Sequence, residues 1–262
     1  MCDRKIGSDR KIMSEKRYVN KWNVAAMLLV FIAAPLTIVI SFMLLGSSRY
    51  FFMSALLAII VLLVFFFIFE GQKPDARTLI IISVMSAVAI VGRAIFFFTP
   101  NFKPTLAVVI LTGICFGRNV GFITGATSAF VSNFIFGQGP WTPWQMLAMG
   151  VVGYLAGLFF DDGKKGRRAG KYNKHSLRMT VAYCIFGFAA AFFIYGVIVD
   201  LWTILGFFGS PTLKTAMTVY TMAAFFNMIH GISTVMFLLI LVIPMKKKLD
   251  RIKVKYGLIG KG

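Results

Sequence analysis

A guanidinium inside an apolar run needs a reason, and Arg93 lies five residues from the end of the run at 78–98. A charge at bilayer depth costs roughly 3 kcal/mol on insertion scales, so such a residue either binds something or bonds helix-end carbonyls. Asn133 ends another run and is followed at once by Gly137-Gln138-Gly139-Pro140-Trp141-Thr142-Pro143-Trp144-Gln145. Tyr195 and Asp200 end a third run, and Asp200 is also spaced to pair with Arg93 or Lys214. Asn227, His230 and Thr234 share one helical face through i, i+3, i+4 spacing. In that arrangement they serve a pocket or hydrogen-bond between helices. Trp141 and Trp144 flank a Gly/Pro-rich loop, where indoles either stack on a flat ring system or mark a membrane interface. Amides, one cation, one carboxylate and indoles make a recognition set. The candidate ligand-binding residues are Arg93, Asn133, Gln138, Trp141, Trp144, Gln145, Tyr195, Asp200, Asn227 and His230.

Other chemistries lack their residues. The Gly-Lys pairs at 163–171 do not have the phosphate-loop spacing. The chain holds two histidines and three cysteines, with no ligand spacing for a metal. A carboxylate pair is missing from the apolar runs, no nucleophile elbow surrounds a serine, and ion-driven transport has too few intramembrane acids to work with. No intrinsic cofactor is expected.

The elements that position these residues follow from composition. Of 262 residues, 58% are hydrophobic and only 14% charged, with mean hydropathy +0.81. A soluble fold would leave too much of this surface in water, so the chain reads as an all-α integral membrane protein. About 20 apolar residues cross a bilayer. Runs at 23–46, 50–69, 78–98, 104–136 (two helices with a turn at 117–119), 143–160, 179–199 and 213–243 make eight spans.

The net charge of +19 would suit nucleic acid in a soluble protein. Here the cations sit at the ends of apolar runs, so no nucleic-acid partner is expected. With the N-terminus cytoplasmic, 24 of the 28 Lys and Arg fall on inner segments, and only Arg49, Lys103 and Lys214 fall outside. That bias supports eight spans with both termini cytoplasmic in a cell membrane. Trp22 then sits at the inner interface, and Trp141, Trp144 and Trp202 at the outer one. His230 lies roughly 24 Å from the inner end of the last helix, so the polar residues converge at the outward end.

The first two runs are almost purely apolar, whereas the other six carry the glycines, amides and charges. The expected organisation is a basic cytoplasmic N-terminus (1–22), a two-helix preamble (23–69), a six-helix core (77–245) and a basic tail (246–262). Gly113, Gly117, Gly121, Gly125, Ala129, Gly153 and Gly157 recur every four residues. Such stripes let helices approach closely, and one of them could instead serve a partner subunit.

Phe116-Gly117 leading to Gly125, followed by N-F-x-F-G-Q-G-P-W-T-P-W-Q-M at 133–146, resembles the substrate-binding S-components of energy-coupling factor (ECF) transporters. The resemblance covers about 77–245. It implies a six-helix subunit of a prokaryotic membrane that captures a vitamin from outside. It also implies delivery through a transmembrane T-component and two cytoplasmic ATPases, which use the ATP. The family's docking pattern of two small residues matches Ser83 and Ala87, with serine in place of the first alanine. The aromatic, proline-rich loop looks most like cobalamin-type members, so a corrinoid is the expected cargo. Folate, riboflavin, queuosine precursors and a lipid-like precursor fit the same outline. The two preamble helices are additional to the family pattern. Rival readings are a membrane enzyme acting on a lipid, which requires Arg93, Asp200 and His230 to meet, and a structural membrane subunit.

Overall fold

The computed structural model describes residues 21–45, 50–72, 76–160, 177–207 and 212–255, which form eight helices and no strand among them. The first twenty residues, the basic loop at 161–176 and the tail past 255 lie outside the described residues, so the expected basic segments there are not described.

Helix α1 runs over 21–45 and contains a π-helical turn at Leu29–Ala33. Pro35 accounts for that turn, because its ring clashes with the carbonyl four residues back and it has no N–H to donate. Helix α2 is Tyr50–Gln72, α3 is Ala76–Ile95, α4 is Thr105–Phe116, α5 is Arg118–Phe136 and α6 is Thr142–Phe160. Helix α7 covers 177–207 with a second π turn at Ala190–Tyr195, and α8 is Leu213–Lys255.

Among the described residues, four helical stretches are long and apolar enough to cross a membrane: Ala76–Ile95, Thr142–Phe160, Arg178–Gly206 and Leu213–Leu249. Exposed Leu62, Phe66, Ile80, Phe134 and Met222 clothe the outside of the bundle, as a lipid solvent requires. The expected count of eight full spans needs one correction. Helix α4 has 12 residues, about 18 Å of rise, too short to cross a ~30 Å core. Instead it forms the axis of the bundle. Eleven of its twelve residues are buried, and α3, α5, α6, α7 and α8 surround it.

Between α4, α5 and α6 the glycine stripes do the packing. A Cβ on Gly153 would lie 2.2 Å from the Gly121 carbonyl oxygen, one on Gly113 would lie 2.3 Å from that of Gly153, and one on Gly125 would lie 2.4 Å from that of Met149. These stripes are spent inside the bundle, not on a partner. The α1–α2 pair packs on the outside of the core, Phe31 edge-on to Tyr154 of α6 and Phe65 edge-on to Phe122 of α5. Helix α8 continues past the Lys246–Lys248 run that the sequence reading took as its end. Pro244 costs it one backbone hydrogen bond without stopping it.

Candidate ligand-binding site

The loop between α3 and α4 returns tightly over α3. A Cβ on Gly92 would lie 2.6 Å from Cγ of Pro104, so only glycine lets the loop close beside Arg93. Asn101 takes φ +54°, a left-handed turn that asparagine tolerates. Phe96 and Phe102 pack on Phe237 of α8 with ring centroids 5.1 and 5.6 Å away, and Ser233 donates to the Lys103 carbonyl at 3.1 Å.

Arg93 then faces the end of α5. One of its terminal nitrogens donates to Ser132 Oγ and, at 2.9 Å, to Asn133 Oδ1, and its guanidinium lies 4.9 Å from the Phe136 ring centroid. Among the described residues no carboxylate pairs with it, and its other N–H donors have no protein acceptor. Asn133 is the centre of the network. Its amide nitrogen donates to Thr142 Oγ1 at 3.0 Å and to Gln145 Oε1 at 2.9 Å. Thr142 donates to Gln138 Oε1 at 2.8 Å, and the Gln138 amide donates to the Phe130 carbonyl at 2.9 Å. Gly137, at φ +107°, ends α5 so that this loop can turn into α6. Phe97 stacks on Phe136 at 5.2 Å, above the cation.

A second group forms between α7 and α8. Asn227 donates to Asp200 Oδ2 at 2.7 Å, and Tyr195 meets His230 edge-on at 4.8 Å. The π turn at Ala190–Tyr195 sets this register, and no proline causes it. Such turns recur at functional sites. Directly after it, Gly196 lets the Asn227 amide approach, since a Cβ there would lie 2.6 Å from its nitrogen. Lys103 stands between the groups at the loop. Burial, and then the nearby Arg93 guanidinium, hold its amine below the ordinary lysine range.

The structure therefore joins Arg93, Asn133, Gln138 and Gln145 in one network, and Tyr195, Asp200, Asn227 and His230 in a neighbouring one. Asp200 bonds Asn227, not Arg93 or Lys214. Thr234 shares the expected face but donates to its own helix at the His230 carbonyl. Trp141 is half-buried against Gly139. Trp144 departs from its expected place. It is 1% exposed, donates to Ser54 Oγ of α2 at 3.1 Å and packs 6.4 Å from Trp202. It is a buried clasp, not an exposed stacking face at the membrane interface. Ser132, Thr142, Phe136 and Lys103 were missed by the sequence reading, because hydroxyls and phenylalanines are too common in membrane helices to signal a site. Ser83 and Ala87 are exposed on α3, and Ser83 donates to the Leu79 carbonyl at 3.0 Å.

The chain is similar to UPF0397 proteins of Aliivibrio and Vibrio species. It is 31% identical to that of Aliivibrio fischeri (strain MJ11) over 154 residues, covering 57% of this chain and 81% of the relative. It is 28% identical to that of Aliivibrio salmonicida, covering 54% and 72%, and 35% identical to that of Vibrio atlanticus over 89 residues, covering 32% and 48%. No solved structure matches it. The family model for the ECF-type riboflavin transporter S component matches residues 73–247, a range that begins after the two preamble helices. On that match, with an all-helical membrane bundle that gathers its polar side chains at one end, the chain belongs to the S-component family of ECF-type transporters.

Proposed function

We propose that this S-component captures a flavin-class vitamin, a flat heteroaromatic with ring carbonyls, at the Arg93–Asn133 network. The vitamin enters from outside the cell and passes through a T-component driven by two ATPases. Arg93 carries the reading. A guanidinium at membrane depth has its remaining donors without acceptors among the described residues, beside the stacked rings of Phe97 and Phe136. Carbonyl oxygens of a planar ring would complete its hydrogen bonds, and the aromatic pair would cover the ring face. The description of the matched family, a riboflavin transporter component, points the same way. A corrinoid has less support than the sequence suggested, because the Trp144 half of the supposed indole pair is occupied by Ser54 and Trp202. The charge bias of the segments favours both termini in the cytoplasm, which turns the network outward. Ser83 and Ala87 remain the proposed contact for the T-component.

The lipid-enzyme reading needs Arg93, Asp200 and His230 in contact, and their partners are instead Ser132 and Asn133, Asn227, and Tyr195. The test is a fluorescence titration of the purified chain in detergent with riboflavin and, separately, with cobalamin. Saturable riboflavin binding is expected, weakened about 10- to 100-fold by Arg93→Ala, the range for hydrogen bonds to a charged group. Cobalamin binding with no riboflavin binding would restore the corrinoid. Binding of riboflavin untouched by Arg93→Ala would remove the site.

A further inference from the structure

The backbone around Lys103 ties it to both polar groups. The next residue, Pro104, lies over Gly92, the neighbour of Arg93. The Lys103 carbonyl accepts from Ser233, three residues along α8 from His230. The side chain is half-buried, and its amine is near enough to act electrostatically on both Arg93 and His230. Tyr195 in turn feels the charges of Arg93 and of Asp200. The Arg93–Asn133 network and the α7–α8 group are therefore within electrostatic reach of each other, with Lys103 between them.

Neither charge nor hydrogen bonding is balanced there. Arg93 and Lys103 are two cations, and among the described residues neither makes an ion pair. The carboxylate of the second group, Asp200, is held by the Asn227 amide at 2.7 Å. His230 is only 6% exposed, yet among the described residues its ring nitrogens have no hydrogen-bond partner, and neither does the Tyr195 hydroxyl. Like charges in a half-buried place repel each other, and buried polar groups without partners add to the cost. Ligand hydroxyls would fill the hydrogen bonds and leave the charge uncompensated. An anionic oxygen group supplies acceptors and negative charge together, and a phosphate presents several such oxygens at once.

We propose that the space between the two groups binds a phosphate on the side chain of the cargo, with Lys103 as its main counter-charge and Tyr195 and His230 as hydrogen-bond partners. This rests on the flavin reading above. The ring occupies the Arg93–Asn133 network, the side chain runs toward α8, and a phosphorylated flavin is preferred to the free vitamin.

The experiment titrates the full-length chain in a non-ionic detergent with flavin mononucleotide and, separately, with riboflavin, reading flavin fluorescence. Flavin mononucleotide is expected to bind about ten-fold tighter, the range for one hydrogen-bonded charge pair. Lys103→Gln should abolish that preference, and Lys103→Arg, which keeps the cation, should preserve it. Because the readout is a ratio of two affinities, a general loss of binding does not imitate the effect. Equal affinities, tighter binding of riboflavin, or a preference that survives Lys103→Gln would overturn the phosphate site and leave the flavin reading standing. A preference lost on adding phosphatidylglycerol would assign the cations to a lipid headgroup and overturn it equally. Binding of neither flavin would overturn both readings.

Discussion

Asn133 is the residue on which the site turns, because both ends of its amide are in use. Its oxygen accepts from Arg93, and its nitrogen donates to Thr142 and Gln145. Asn133→Asp keeps an acceptor for Arg93 but adds a charge and removes both donations. The new ion pair should hold Arg93 back from a ligand, so riboflavin affinity should fall at least ten-fold while melting in detergent changes little. Asn133→Ala should cost stability as well, roughly 1–3 kcal/mol, since it strips buried partners of their bonds. If both variants bind normally, the amide is only a helix fastener. Lys103 sets a pH dependence. Its folded-state amine is lowered, first by burial and then by Arg93. The folded chain therefore binds fewer protons than the unfolded one between that lowered value and the ordinary lysine value. Stability should rise with pH through this window, and Lys103→Gln should flatten the rise in melts from pH 7 to 10. Arg93 and Asn133 were legible in the sequence because each is costly in an apolar run. Trp144 was misjudged because the Trp pattern at a helix end looks the same whether the indole meets lipid headgroups or a serine on another helix.

Among the elements, the α4–α5–α6 packing has the least tolerance. The backbones meet through glycine, and the Gly121 carbonyl stands where a Gly153 side chain would go. Gly153→Ala should destabilise the bundle by about 2 kcal/mol, the usual cost of overpacking, or prevent assembly. Ala129→Gly, on the α5 stripe with Gly121 and Gly125, removes a buried methyl and should cost less. Thermal melting of both variants in detergent measures the difference, and equal melting temperatures would mean the helices can separate at no cost. The four-residue glycine spacing was visible in the sequence, and so was the turn at Gly117 that divides α4 from α5. The central, non-spanning place of α4 was not, because the depth of an apolar helix in the bundle depends on its neighbours. The π turn of α7 was equally hidden. Nothing in Ala190–Tyr195 marks it, although Tyr195 meets His230 at its end and Gly196 meets Asn227 directly after it.

At the scale of the whole molecule the open question is what the two added helices do, and the Ser54–Trp144 bond gives them a task. Trp144 lies one residue before Gln145 and two after Thr142, both of which bond Asn133. Helix α2 therefore holds, from outside the core, the first turn of α6 that carries half of the polar network. Ser54→Val removes the acceptor for a buried indole N–H without creating a hole. It should lower stability by roughly 1–3 kcal/mol. If α2 positions the site, riboflavin affinity should fall too, whereas Ser54→Thr, which keeps the oxygen, should restore it. A structural role alone predicts lower melting temperatures with affinity unchanged. The control is Phe65→Leu, which disturbs the α2 contact with Phe122 away from the network. It should cost stability without touching affinity. Parallel losses of affinity in Ser54→Val and Phe65→Leu would mean that the preamble supports the core as a whole and has no particular hold on the loop.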